Sequence, residues 1–253
     1  MRRPPNGCAV TEPEFLVPGW PAPARVRAAF TLRRGGASGG PFASFNLADH
    51  VGDDAGAVAT NRARLRSTLR LPAEPLWLDQ VHGCAVAHFD GTLRPAADAS
   101  VTARAADICA VLVADCLPVL FADRAGSCVA AAHAGWRGLA DGVLERTIEA
   151  LPAEPGTLLA WLGPAIGPAA FEVGDEVRAQ FIAVQPAAAE AFQAQAPGRW
   201  LADLWRLARH RLANAGVAQV HGGQGCTHSE PQRFYSYRRD GVTGRHAALI
   251  WLE

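Results

Sequence analysis

The sequence predicts an α+β fold, a mixed β-sheet packed with helices, and three observations carry that prediction. Apolar runs of strand length recur at residues 25–32, 107–114, 157–162 and 246–252. Segments with helical apolar spacing fall between them, at residues 58–71, 138–151 and 201–215. At least one pair of apolar runs is joined by a hairpin, because Asp123-Arg124-Ala125-Gly126 places Asp at the first position of a four-residue turn and Gly at its last. Strands and helices therefore alternate imperfectly, which argues for antiparallel pairing within a mixed sheet. There is no internal repeat.

Taken in order, residues 1–24 are rich in Pro and Gly and read as an extension looping over the surface, ahead of one domain at 25–253. Residues 33–54 form a long loop with five glycines, of the kind that is usually functional. Its Phe42, Phe45 and Asn46 argue that it is folded. Pro72 stops the helix that follows. Residues 75–86 read as a strand with His82 near a kink at Gly83, residues 96–106 as a loop and connector. Residues 163–168, GPAIGP, have their backbone shape set by Gly and Pro. Residues 171–192 read as a helix interrupted at Pro186, and Gly216 closes the helix before it. A short strand is expected at 217–220 and an aromatic-rich loop at 222–237.

Composition excludes several functions. The formal net charge is zero, with 24 basic and 24 acidic residues, so no broad field draws the chain to nucleic acid or anionic lipid. All 24 basic residues are arginine. Schiff-base chemistry and a Walker-type lysine are thereby removed, and anions must be held by guanidinium forks or backbone amides. No apolar run reaches transmembrane or secretory length, which predicts a soluble, cytoplasmic protein. The six cysteines, Cys8, Cys84, Cys109, Cys116, Cys128 and Cys226, form no CxxC pair and read as thiols rather than a disulfide framework.

The hairpin carries the chemistry. Closing it with Ala122 opposite Ser127 pairs residues whose numbers sum to 249, which sets Cys116 across from His133. Opposed side chains share a face, about 5 Å apart at Cβ. Pro118 lacks a ladder donor and must sit at an edge or a break. With His82, these two residues form a set suited to a borderline-soft ion and lacking a fourth ligand at short spacing, the mark of an open, catalytic site. The same geometry also suits a metal-free Cys116 nucleophile with His133 as base. Spacing alone leaves both readings standing. Arg137 in HAGWRG is a candidate anion fork, with a surface salt bridge as its plain alternative. Asn46 and Arg62 are candidate substrate contacts, against ordinary turn and helix-surface roles. Asp115 points away from Cys116 on a regular strand, so a structural role is expected unless the backbone re-aims it. The run RFYSYRRDG at 233–241 suits a small ligand or packing.

At these residues the chain resembles the bacterial YfiH-type family, long labelled multicopper polyphenol oxidase or laccase-domain proteins. The resemblance rests on SFNLADHVGDD, NRARL, WLDQVHG, ADASVT, ADCLPVLFAD, AAHAGWRG, WLGPAIGP with FEVG, and FYSYRRDGVTGRHAALIWL, in that order from Ser44 to the C-terminus. It implies a layered α/β/β/α fold with mixed sheets, and Zn²⁺ held by His82, Cys116 and His133. It also implies a purine nucleoside phosphorylase acting on adenosine, inosine and methylthioadenosine, with adenosine deaminase activity, whose partners are a nucleoside and phosphate. A second implied activity is a cytoplasmic peptidoglycan-editing amidase that removes L-Ser from a muropeptide precursor. Cys116, His133 and Arg137 would then serve catalysis, and Asn46 and Arg62 substrate binding. Relatives often carry bulkier or cysteine residues where Ala169-Ala170 stands. A copper laccase does not fit, because its coppers need about ten histidines in paired motifs and this chain has eight with no HxH. One Cu²⁺ could occupy the zinc position.

Overall fold

A computed structural model describes residues 12–253 of the protein. Thirteen strands and six α-helices are present there. The strands are β1 (Phe15–Leu16), β2 (Val26–Thr31), β3 (Val86–Ala87), β4 (Ala99–Thr102), β5 (Ile108–Val113), β6 (Leu117–Asp123), β7 (Val129–Ala134), β8 (Leu158–Leu162), β9 (Glu172–Gly174), β10 (Phe192–Ala196), β11 (Arg199–Ala202), β12 (Gln219–Gly222) and β13 (His246–Leu252). The helices are α1 (Ala55–Leu69), α2 (Trp136–Asp141), α3 (Val143–Ala150), α4 (Asp175–Val184), α5 (Leu204–Asn214) and α6 (Tyr237–Asp240).

Two sheets stack face to face. One runs β1-β2-β13-β5, the other β12-β8-β6-β7-β4-β3, and β10-β11-β9 forms a small third sheet. Alternation along each strand divides the apolar side chains into three layers. Leu120, Ala122, Val129 and Ala131 meet Cys109, Val111, Ala248 and Ile250 between the two sheets. Their odd-numbered neighbours Val119 and Phe121, with Ala130 and Ala132, pack on Leu139, Leu144 and Leu207 of the helices. On the far side, Ala110, Leu112 and Leu249 cover Leu65 of α1 and Phe45 and Leu47 of the long loop. Three apolar layers make four layers of structure, and the expected α/β/β/α order stands. No helix among the described residues is long and apolar enough to cross a membrane.

Several expectations change in detail. Residues 12–24 are integrated rather than loose, since β1 pairs with β2 and Trp20 packs on the inter-sheet core. Cys8 lies outside the described residues; the other five cysteines are free thiols. Residues 75–86 make only the isolated bridges Leu76↔Cys109 and Asp79↔Ala96 before β3 begins. Residues 96–106 contain β4, whose small Ala99 and Ser100 give little strand signal in sequence. The segment 171–192 holds β9, α4 and a 3-10 turn rather than one helix. The expected helix at 138–151 divides into α2 and α3 at Gly142, whose φ of 101° leaves the helical region.

The hairpin turn sits where expected, with the Gly126 N–H donating to the Asp123 carbonyl. Its register does not. The Asp123 carboxylate also accepts from the Ser127 N–H at 2.6 Å and the Cys128 N–H at 2.9 Å, which widens the loop by two residues. Ala122 pairs with Val129, and Pro118 rather than Cys116 pairs with His133. Because the displacement is two residues, Cys116 stays on the same face as His133, diagonally offset. Pro118 is accommodated in a central strand because its carbonyl, and with it its donorless nitrogen, faces the end of β8, where the Gly163 N–H supplies the bond.

Candidate metal centre and its cavity

His82, Cys116 and His133 come together at the end of the inter-sheet layer, their ligand atoms all within 4.8 Å of one another. The two imidazoles meet edge to face with centroids 4.8 Å apart. Each ligand comes from a different local device. His133 is held by β7, buried. Cys116 follows Asp115, a non-glycine residue at φ +88°, which turns the chain out of the strand direction. His82 stands at φ +61° in an exposed bend.

One residue that sequence reasoning missed organises the set. Asp98, fully buried just before β4, accepts from His133 Nδ1 at 2.8 Å and from the backbone N–H groups of His82 at 2.9 Å and Gly83 at 2.7 Å. The Val81 N–H adds a contact at 3.2 Å. These bonds take the amides that a strand at 75–86 would have used. Engaging Nδ1 turns His133 Nε2 toward Cys116, the usual second partner of a ligating histidine. The signal was present as the aspartate of ADASVT, with no spacing to connect it to either histidine. Gly135 forms the floor, where a Cβ would lie 3.0 Å from Cys116 Sγ and 3.2 Å from His82 Cδ2.

The electrostatics are those of a coupled thiol and imidazole. Burial raises the Cys116 thiol, but the His133 imidazolium and hydrogen bonds from both histidines bring it down to about 6. Burial lowers His133, but the Cys116 thiolate and Asp98 push it up to about 9. Asp98 is opposed by burial, yet the hydrogen bonds from His133 and the Gly83 and His82 amides hold it below the usual carboxylate range. The donor set fits Zn²⁺. Ligands at roughly 2.0–2.3 Å on a tetrahedral ion stand roughly 3.3–3.8 Å apart, so small side-chain rotations close it. Among the described residues, this is the group of three such side chains that could hold an ion.

A cavity of about 390 Å³ opens over the ligands, walled by His50, Gln80, Leu112, Val113, Ala114, Tyr237 and Arg245. The Gln80 amide is spent on Leu112, donating to its carbonyl at 2.9 Å and accepting from its N–H at 2.7 Å. Arg245 is the cation of the wall. Its NH1 donates to the Thr243 and Gly244 carbonyls, and the guanidinium lies 5.8 Å from the Tyr237 ring centroid.

The expected substrate residues fall elsewhere. Arg137 is exposed, stacks on Trp136 at 4.4 Å and takes no place in the cavity wall. Asn46 is fully buried: its Nδ2 donates to Ala48 and Asp53, and its Oδ1 accepts from the N–H of Ala48 and of Arg245. Arg62 donates to the Leu47 carbonyl, lies over Trp77 at 4.4 Å and stands 3.6 Å from Asp49. Both organise the long loop that presents His50, and Asn46 also holds the backbone of Arg245. Neither takes a place in the cavity wall. The last motif quoted above contains Arg245, but its arginines are indistinguishable by residue type.

The chain is similar to known proteins along nearly its whole length. Residues 27–253 match the family model described as multi-copper polyphenol oxidoreductase laccase. The chain is 57% identical over 240 residues to the protein named purine nucleoside phosphorylase PA4543 from Pseudomonas aeruginosa, covering 94% of this chain and 98% of that one. It is 52% identical over 241 residues to purine nucleoside phosphorylase YfiH from Escherichia coli, covering 94% and 99%. Among solved structures, Neisseria meningitidis NMB0706 superposes with a TM-score of 0.91 at 50% identity, covering 94% of this chain and 99% of that one. YlmD from Geobacillus stearothermophilus does so with 0.86 at 34%, covering 94% and 96%. With the shared layers and near end-to-end coverage, the chain belongs to the YfiH-type family whose model bears the laccase description.

Proposed function

We propose that this protein is a zinc-dependent purine nucleoside phosphorylase acting on adenosine, inosine and methylthioadenosine, with adenosine deaminase activity at the same site. The observation that carries the reading is the placement of Arg245 and the His82–Cys116–His133 set on one cavity, an anion fork beside an open ligand set. Its volume lies in the usual range of roughly 300–1,000 Å³ for small-molecule sites. The names of the relatives support the same substrate class. When bound, zinc supplies Lewis acidity at an open position.

The chain's own residues do the remainder. Arg245 takes the phosphate role first expected of Arg137, using the bidentate fork that a lysine-free chain must rely on. Tyr237 offers a ring for the base. His50, kept neutral mainly by burial and by Arg245 against the opposing pull of Asp49, is the imidazole placed to carry a proton, a role that the lack of a glutamate two residues after either ligand histidine otherwise leaves unassigned. Phosphate-dependent release of free base by zinc-replete protein, abolished in His133→Ala with the fold retained, is the expected result. No phosphorolysis by metal-replete protein would sink the reading. The ion follows from thiolate and imidazole ligation, which Cu²⁺ shares, so parallel reconstitution with each metal belongs in the assay.

A second reading is favoured by one feature. Cys116, His133 and Asp98 form a thiol–imidazole–carboxylate relay with the thiol brought down to about 6, the arrangement of a cysteine nucleophile. Attack on the L-Ser amide of a cytoplasmic muropeptide precursor suits it. Chelation separates the two, because a thiolate nucleophile keeps its amidase turnover without metal.

A further inference from the structure

We propose that Asp115 is a positioning residue that joins Cys116 to the C-terminal wall of the cavity, so that filling the ligand set stiffens the segment carrying Tyr237. The inference rests on the metal-centre reading above. Asp115 is buried and directly precedes the ligand cysteine, and its φ of +88° is one that non-glycine residues seldom adopt. Such a conformation persists only where its surroundings over-determine it. Here they do so at three points. Its carbonyl accepts from the Ile166 N–H at 2.9 Å. Its Oδ1 accepts from Thr227 Oγ1 at 2.5 Å, and its Oδ2 from the Arg238 N–H at 2.7 Å.

Both carboxylate partners belong to one tied segment. The Arg239 guanidinium donates to the Thr227, His228 and Phe234 carbonyls, and the Ser236 hydroxyl caps α6 by accepting from the Arg239 N–H. Tyr237, on this segment, lines the same cavity as the ligands. The carboxylate that sequence alone sets aside, as pointing to the wrong face, is re-aimed by its backbone into this segment. Any adjustment of Cys116 on ligation passes through the Asp115 backbone to Thr227 and Arg238.

Glycine suits the φ at position 115, so Asp115→Gly removes the carboxylate while keeping the backbone that aims Cys116. Thr227→Val removes one donor and leaves the strand beside Cys116 untouched. Full-length protein is titrated with zinc, and amide hydrogen exchange of residues 226–240 is read with and without it. In wild type, zinc is expected to slow exchange at Arg238 and its neighbours at least tenfold. Asp115→Gly is expected to bind zinc within about threefold of wild type and to lose that slowing, with Thr227→Val intermediate. Undiminished slowing in Asp115→Gly would overturn the coupling. So would loss of zinc affinity in that variant, which would make position 115 part of the ligand cage alone. Failure of wild type to bind zinc would remove the metal centre itself, a distinct result from either.

Discussion

Two buried aspartates, Asp98 and Asp115, flank the ligand set and do opposite things with the same functional group. Asp98 turns inward: its oxygens collect one ligand's imidazole and the backbone of another. Asp115 turns outward: its oxygens collect a hydroxyl and an amide from the distant C-terminal segment. The difference lies in the backbone, since Asp98 leads into the regular strand β4 whereas Asp115 sits at positive φ between two strands. A carboxylate's role is thus set by where the chain aims it.

The largest effect expected from breaking this contrast is at the inward residue. Asp98→Ala strands the His82 and Gly83 amides and frees the His133 ring, which should weaken zinc binding by about 100-fold and cost about 3 kcal/mol or more of stability. Metal competition and denaturant titration read the two effects. The pH dependence comes next. A metal binds the deprotonated ligands, and the Cys116–His133 pair holds one proton between about pH 6 and about pH 9. Zinc affinity should therefore rise about tenfold per pH unit through that window, more steeply below it, and level off above about 9. Calorimetry in several buffers checks the slope; a flat profile contradicts the paired state.

Smaller effects test the cavity's outer side. Arg245→Ala should raise the phosphate KM by about tenfold or more, the worth of a charge-assisted pair, while Arg137→Ala should leave it within about twofold. Phosphate-saturation kinetics on both variants decides which arginine holds the anion. Gly135→Ala should lower zinc affinity several-fold with little loss of stability, because the new methyl would press on Cys116 Sγ and His82 Cδ2 rather than on backbone. Unchanged zinc affinity would show that the floor yields.

Much of the fold was legible because strong signals coincided with secondary structure. Residues 246–252 are an apolar run bounded by a turn and became β13 without change. The Gly142 break, β4 and the small third sheet were not legible, since Ala, Ser and short polar-flanked runs carry little strand preference on their own. At the site, residue type brought forward His82, Cys116 and His133 as a candidate metal set, the resemblance implied the same three, and the structure brings them together. The partners that make them a site, Asp98 and Arg245, were hidden because both are common surface residue types whose significance arises only when distant chain segments meet. Asn46 was legible as meaningful, and the structure adds that its amide is buried and bonded to Ala48, Asp53 and the Arg245 N–H.

The two-residue widening of the β6–β7 hairpin bears on how this protein can change length. Removing two residues between Arg124 and Ser127 would leave His133 beside Cys116, because strand side chains repeat every second residue. Removing one would carry His133 through the sheet toward Leu139 and the helices and dismantle the ligand set. Insertions and deletions at that turn are therefore filtered by parity before size matters.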